Sequence, residues 1–206
     1  MIKKDTQGVT FAKGFTAAGV KAGIKKSGNL DVAVIYTKTQ AVVAGTFTQN
    51  KVAAAPVYVS KEVVATGTAH AIVANAGCAN ACTGQQGLDD AHKMAQIAAD
   101  ELGVNADDVI VGSTGVIGVN LPMDKLEAGI KDAVANLSAD GSGNAGRAII
   151  TTDTHSKSVT CEFELSGKTV RMGAIAKGSG MIRPNMATML CYITTDIAID
   201  QALLQK

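Results

Sequence analysis

The sequence predicts a layered α/β sandwich with mixed sheets, and three observations lead there. Strand-like and amphipathic helical runs interleave irregularly, not in strict βαβ alternation. One run, SVTCEFEL (158–165), alternates fairly well and is followed by Ser166-Gly167 and another strand-like run, the pattern of an antiparallel hairpin. Turns are mostly glycine-made: the 206 residues include 22 glycines and three prolines, and no repeat, linker or low-complexity tract divides them. With 47% apolar residues the chain can bury a sizeable core, as one large domain or two small ones.

Taken in order, strands are expected at 32–37, 41–47 and 71–75. A helix follows, in which Leu88, Ala91, Met94, Ala95, Ala98 and Leu102 form one face. Asp89 and Asp90 would sit in its first turn, and Gly103 lies just past its end. After a strand at 109–113, Pro122 suits a first helical position, and Leu126, Ile130, Ala133, Val134 and Leu137 recur at helical spacing. The remaining strands are expected at 148–152, 158–165, 169–175 and 189–195.

Charge excludes some partners. The net charge is +1, from 19 basic and 18 acidic residues, with no basic stripe. Three tyrosines, four phenylalanines and no tryptophan offer few stacking platforms, so nucleic acid is not an expected partner. The opening MIKKDTQGVTF lacks an apolar signal region, and runs such as VAVIY (32–36) are too short to span a bilayer, so no membrane partner is expected. Cys78, Cys82, Cys161 and Cys191 match neither zinc spacing nor a disulfide framework, which points to a cytoplasmic protein without a metal.

Several familiar motifs fail on context. Residues 141–146 spell G-x-G-x-x-G, but the dinucleotide fingerprint follows a strand and opens a helix. Here the expected order is reversed, a helix ending near Leu137 and a strand starting near Ala148. A nucleotide-binding domain using this loop is therefore the less favoured of two functional classes. Gly167-Lys168-Thr169 ends like a phosphate-binding loop, but the position of its upstream glycine holds Glu162. His70, His92 and His155 have no H-E-x-x-H spacing, and there is no G-x-S-x-G elbow. Cys78 and Cys82 lie in the small-residue stretch NAGCANACTG, where packing is the expected role.

Chemistry concentrates in AKGSGMIRPNMATML (176–190), a turn-rich segment that delivers Thr188 to an apolar strand. A threonine hydroxyl becomes a useful nucleophile when its own α-amine serves as base, which requires a cut immediately before it. An α-amine titrates at about 7.7–8.0 and is partly neutral near pH 7. Oγ of Thr188 could make that cut itself by attacking the Ala187 carbonyl, if donors receive the developing oxyanion. Pro184 and the glycines 178 and 180 permit such a turn. In VGSTGVIG (111–118), a strand runs into a glycine turn that can expose the Thr114 hydroxyl and the Gly115 N–H together.

These motifs, STGVIG (113–118), ITTDT (150–154) and AKGSGMIRPNMATML with NAGCANACTG upstream, resemble ornithine acetyltransferase, the glutamate N-acetyltransferase of the cyclic arginine pathway. Their order and spacing agree across nearly the whole chain. The resemblance implies a self-cleaving threonine-nucleophile acyltransferase built as a layered α/β sandwich, which calls for no cofactor. It implies that Thr188 is the nucleophile, that Ala187–Thr188 is the bond cut, and that Thr114 and Gly115 form the oxyanion hole. It makes Thr151, Lys177 and Thr188 the substrate-binding residues, the lysine suiting a carboxylate.

The implied reaction moves the acetyl group of N-acetylornithine to glutamate through an acetyl-threonine, with acetyl-CoA as a further donor in bifunctional members. Family members are considerably longer. The resemblance therefore divides this chain into an α segment, 1–187, and the opening of a β segment, 188–206. The remaining β half would be a partner, in a complete assembly of two α and two β chains, and the chain alone is expected to be inactive. Transfer of the acyl group to water, as an amidase or aminopeptidase, is the alternative on the same machinery.

Overall fold

The computed structural model describes residues 2–5, 7–180, 186 and 189–206. In chain order the elements are β1 (Ile2–Lys4), β2 (Phe15–Val20), β3 (Val32–Val42), α1 (Ala55–Thr66), β4 (Thr68–Cys78), α2 (Gly84–Leu102) and β5 (Val109–Val116). There follow α3 (Met123–Ala135), α4 (Ser142–Ala148), β6 (Lys157–Leu165), β7 (Lys168–Lys177), β8 (Leu190–Thr195) and α5 (Gln201–Leu204). Among the described residues the strands form two four-stranded sheets, ordered β2-β3-β4-β5 and β1-β6-β7-β8. The first is mixed, with β4 and β5 parallel; the second is antiparallel throughout. No helix among the described residues is long and apolar enough to cross a membrane.

Strand alternation gives each sheet two distinct faces. Val32, Val34, Val73, Val109 and Val111 point from the mixed sheet toward α1–α3 and pack with Val59, Met94, Ala98, Leu126 and Ile130. The other face, carrying Ala17, Ala33, Ile35 and Ala74, packs against Ile175 and Tyr192 of the antiparallel sheet and against Ala145, Ala148 and Ile149. The layers are thus helices, mixed sheet and antiparallel sheet, with α4 wedged beside β2.

Most expected elements are present with longer bounds, and the exceptions have local causes. Helix α2 begins at Gly84 because the buried Asn80 side chain accepts from Thr83 Oγ1 (2.8 Å) and donates to the Gly87 carbonyl (2.7 Å), closing the first turn early. Asp89 and Asp90 therefore lie past that turn and accept from Gln85 and Gln86 four residues back. Gly103, at φ 68°, ends the helix as expected. Pro122 occupies the N-cap of α3 and not its first helical position.

The separate strand expected at 41–47 is absent. Ala41 and Val42 instead finish β3 beyond an irregularity in its pairing with β4, and residues 43–54 form neither helix nor strand. The hairpin is as expected: β6 and β7 pair from Leu165↔Lys168 onward, through a two-residue turn with Ser166 and Gly167 at φ 52° and 74°.

The strand expected at 148–152 is also absent. Ala148 ends α4, and residues 150–156 are irregular. The glycine-rich stretch before it is helix, with Gly141 at the N-cap. A Cβ on Gly141 would lie 1.7 Å from the Ala17 carbonyl oxygen, and one on Gly19 would lie 2.2 Å from that of Asn144. Gly141 and Gly19 let α4 approach β2 at backbone contact, so the first glycine of the G-x-G-x-x-G run has a packing role.

Candidate active site

The site forms where the parallel pair β4–β5 ends. Register shifts at Gly77 and Cys78, so that Thr114 pairs with Ala76 on one side of the irregularity and with Cys78 on the other. Gly77 and Gly115 adopt φ 117° and 136°, and a Cβ on Gly115 would lie 2.3 Å from the carbonyl carbon of Gly77. Only glycine allows so close an approach with positive φ. Asn75, fully buried, bridges the irregularity: its Nδ2 donates to the Cys78 carbonyl (2.9 Å), and its Oδ1 accepts from Ser113 Oγ (2.6 Å). The turn that carries Thr114 and Gly115 is therefore clamped from the β4 side.

Val109 and Val111 face the helices, so Gly112 and Thr114 face the gap between sheets. Gly112 leaves room for the buried hydroxyl of Tyr192, which would lie 2.2 Å from a Cβ there. Burial pushes that phenol far above its ordinary range. Next along the same face, Thr114 is buried and its Oγ1 accepts from Lys177 Nζ at 3.0 Å. Lys177 ends β7 on the side occupied by Ile175, so both sheets contribute to this contact. Burial lowers the Lys177 ammonium below the ordinary lysine value; Asp153 works against that shift, while Lys157 adds to it.

Around the contact lies the irregular segment between α4 and β6. Asp153 Oδ1 accepts from the Gly178 N–H (3.0 Å) and from the Lys157 ammonium, and Thr152 Oγ1 accepts from the Gly180 N–H (3.2 Å). Thr151 is exposed in this segment, beside these anchors. Burial by itself would raise the Asp153 carboxyl, but hydrogen bonds from Lys157 and Gly178 and the charges of Lys157 and Lys177 hold it below its ordinary value. On the other flank, Lys25 donates to the carbonyls of Leu30, Ala148 (3.1 Å) and Arg147 (3.5 Å).

Of the residues expected from sequence, Thr114 and Lys177 are in direct contact, and Gly115 sits in the clamped turn. Ala187 and Thr188 lie outside the described residues; Leu190, two positions further on, pairs with Lys177. Asn75, Asp153, Lys157 and Lys25 were not expected. Asp153 could have been noticed as the charged residue of the ITTDT stretch, but no sequence signal links the others to the site. Cys78 is buried, its Sγ donates to the Val119 carbonyl (3.1 Å), and burial pushes its thiol up, so it packs as expected. Cys82 is exposed.

A geometry of two strand ends, a buried threonine and a buried lysine invites comparison with known proteins. The model of the ArgJ family matches residues 16–206. The chain belongs to this family. The arginine biosynthesis bifunctional protein ArgJ of Symbiobacterium thermophilum is 51% identical over 201 residues, which cover 97% of this chain and 50% of that protein. The chain thus spans about half the length of the curated ArgJ relatives it matches.

Two solved structures are similar in fold as well. The arginine biosynthesis bifunctional protein ArgJ of Bacillus halodurans superimposes with a TM-score of 0.83 at 40% identity, over 92% of this chain and 98% of that one. The ornithine acetyltransferase of Mycobacterium tuberculosis, solved with ornithine, gives a TM-score of 0.83 at 42% identity over 89% and 98%. The layered α/β sandwich is therefore the fold of ArgJ structures.

Proposed function

We propose that this chain carries the nucleophile-bearing part of an ornithine acetyltransferase that matures by cutting its own Ala187–Thr188 bond. The observation that carries this reading is the buried Lys177–Thr114 contact, which joins the glycine turn at the end of β5 to the strand that leads toward Thr188. Oγ of Thr188 attacks the Ala187 carbonyl, the acyl group passes from nitrogen to oxygen, and water hydrolyses the ester. The freed α-amine then takes the Oγ proton in the transfer reaction.

Thr114 suits the oxyanion role for a specific reason. Its oxygen accepts from Lys177, so its single O–H proton is left to donate elsewhere, and the ammonium polarises that O–H. The Gly115 N–H supplies the second donor. Lys177 also offers positive charge to a substrate carboxylate, with Thr151 on the adjoining segment. N-acetylornithine acetylates Thr188 and ornithine leaves; the glutamate amine then takes the acetyl group. The relatives are bifunctional ArgJ proteins by name, which fits acetyl-CoA as a second donor.

Strand pairing supports a cut that does not release the product. β8 begins at Leu190 and pairs with β7 from Lys177 to Met172, so a segment starting at Thr188 stays bound through the sheet. Chain length supports a cut in this region: each solved relative is matched over 98% of its length by a chain that spans about half of the curated relatives. The 206-residue chain alone is expected to transfer acetyl groups at a negligible rate, because positioning is worth about 7–11 kcal/mol and the rest of the family's length contributes to it. The exposed outer face of β6–β8, with Val159, Phe163 and Ile193, is the surface that further chain would cover.

Intact mass tests the maturation step. The chain should yield residues 1–187 and a piece beginning at Thr188, and Thr188→Ala should remain whole. Cleavage elsewhere, or cleavage of the alanine variant, would end this reading. N-acetylornithine plus glutamate, with and without the co-expressed remainder of an ArgJ protein, then tests transfer.

A further inference from the structure

We propose that Asp153 is the positioning residue of this site: it supplies the counter-charge that keeps Lys177 held against Thr114, and it anchors the chain where β7 ends. The inference rests on the reading of Lys177 and Thr114 as site residues. The side chain of Asp153 is fully enclosed. One oxygen receives both the Gly178 N–H (3.0 Å) and the Lys157 ammonium. The other has no hydrogen-bond partner among the described residues. One carboxylate thus ties the residue immediately after Lys177 to the segment that carries Thr151, while part of its charge acts through space.

The charge balance explains why that is needed. Three ammonium groups act here: Lys177 at the end of β7, Lys157 on β6, and Lys25 on the loop between β2 and β3, which is coupled electrostatically to Lys177. Asp31 acts on Lys25, and its own carboxylate is held by the N–H groups of Ala22, Ile24 and Lys25. Among the described residues, Asp153 is a carboxylate that acts directly on Lys177. Without it, burial and the Lys157 ammonium would press Lys177 to lose its proton or to leave the gap, and Thr114 would lose the partner that orients its hydroxyl. Asp153 acts through Lys177 and Gly178, so it is not itself a catalytic residue.

The test uses the full chain carrying Thr188→Ala, whose intact mass is checked first; the Lys177 titration is then read whether or not the chain is cut. The Lys177 side-chain carbon beside the ammonium is followed by NMR through a pH titration, its signal identified by loss in Lys177→Gln. Asp153→Asn keeps an acceptor for the Gly178 N–H but removes the charge, so the Lys177 midpoint should move to lower pH. Lys157→Met removes a competing cation, so the midpoint should move the opposite way. Asp153→Ala should in addition speed hydrogen exchange at the Gly178 amide by roughly tenfold, which Asp153→Asn should not. An unmoved midpoint in Asp153→Asn, or shifts of the same sign in the asparagine and methionine variants, would overturn the proposal. If Asp153→Asn does not fold, the Lys177 midpoint in Asp153→Ala decides, since it should fall there as well.

Discussion

The two sheets share one interface and differ on their other faces. The mixed sheet is covered twice, by α1–α3 on one side and by the antiparallel sheet on the other, and Val32, Val34, Val73 and Val109 are completely buried. Among the described residues, the antiparallel sheet is covered once. Ile175 on its inner face is completely buried, while Ile193 on its outer face is 60% exposed, although Ile193 pairs with Ala174, the neighbour of Ile175. The difference assigns distinct duties. The doubly covered sheet can hold the Thr114–Gly115 turn to a fixed geometry, since cores packed on both sides resist displacement. The singly covered sheet brings Lys177 and the strand after Thr188, and its open face leaves room for more chain.

Glycines give the largest contrast. Gly19→Ala places a methyl group 2.2 Å from the Asn144 carbonyl oxygen, backbone against backbone, where neither β2 nor α4 can yield. It should cost about 3 kcal/mol or more, read as a fall in the urea midpoint. Gly167→Ala, at the tip of the β6–β7 hairpin, meets nothing within 4 Å and suffers only its φ of 74°. The expected cost there is about 1–2 kcal/mol. Equal costs would mean that α4 is less firmly seated on β2 than its contacts imply.

That close approach also marks where sequence reading reaches its limit. Helices α2 and α3 and the β6–β7 hairpin were legible because periodicity and turn residues agreed. Helix α1 was legible in principle, since Pro56 opens it and Gly67 closes it at φ 91°, but its β-branched VYV and VV runs show no clear helical period, and no element was expected there. Strand 148–152 was misread for the converse reason: Ile149 and Ile150 look like strand, whereas small residues before them serve packing. At the site, Thr114 and Gly115 announced a turn, while Lys177 came only from the resemblance, and nothing local announced its burial. Their meeting across 63 residues is set by the stacking of two sheets, which no local pattern encodes. Asn75 and Asp153 act on that meeting from elsewhere in the fold.

A second pair of variants compares the faces of one sheet with the same chemistry. Ile175→Ala leaves a cavity among Ala33, Ile35, Ala74 and Ile149 and should cost about 2–5 kcal/mol. Ile193→Ala should cost at most about 0.5 kcal/mol, because its side chain is already largely in water. The difference between the two urea midpoints measures how completely one side of the sheet is buried. A large loss for Ile193→Ala would show that something covers the outer face, such as a second copy of this chain.

The smallest expected effect addresses that cover directly. Phe163→Thr with Ile193→Thr replaces exposed apolar groups by a residue that suits strands, so the fold should lose no more than about 0.5 kcal/mol. What should change is association. An exposed apolar sheet face gathers partners by removing hydrocarbon from water, at about 25 cal/mol per Å² buried. Sedimentation of the unmodified chain over a range of concentrations should show concentration-dependent association, and the double variant should stay closer to a single species. The counterpart on the doubly covered sheet is Val34→Thr, which puts a hydroxyl into a dry core and should destabilise without changing association. If the outer-face variant associates as strongly as the original, the attraction lies elsewhere, and the exposed Val116 at the end of β5, with Ile117 and Val119 after it, becomes the surface to change next.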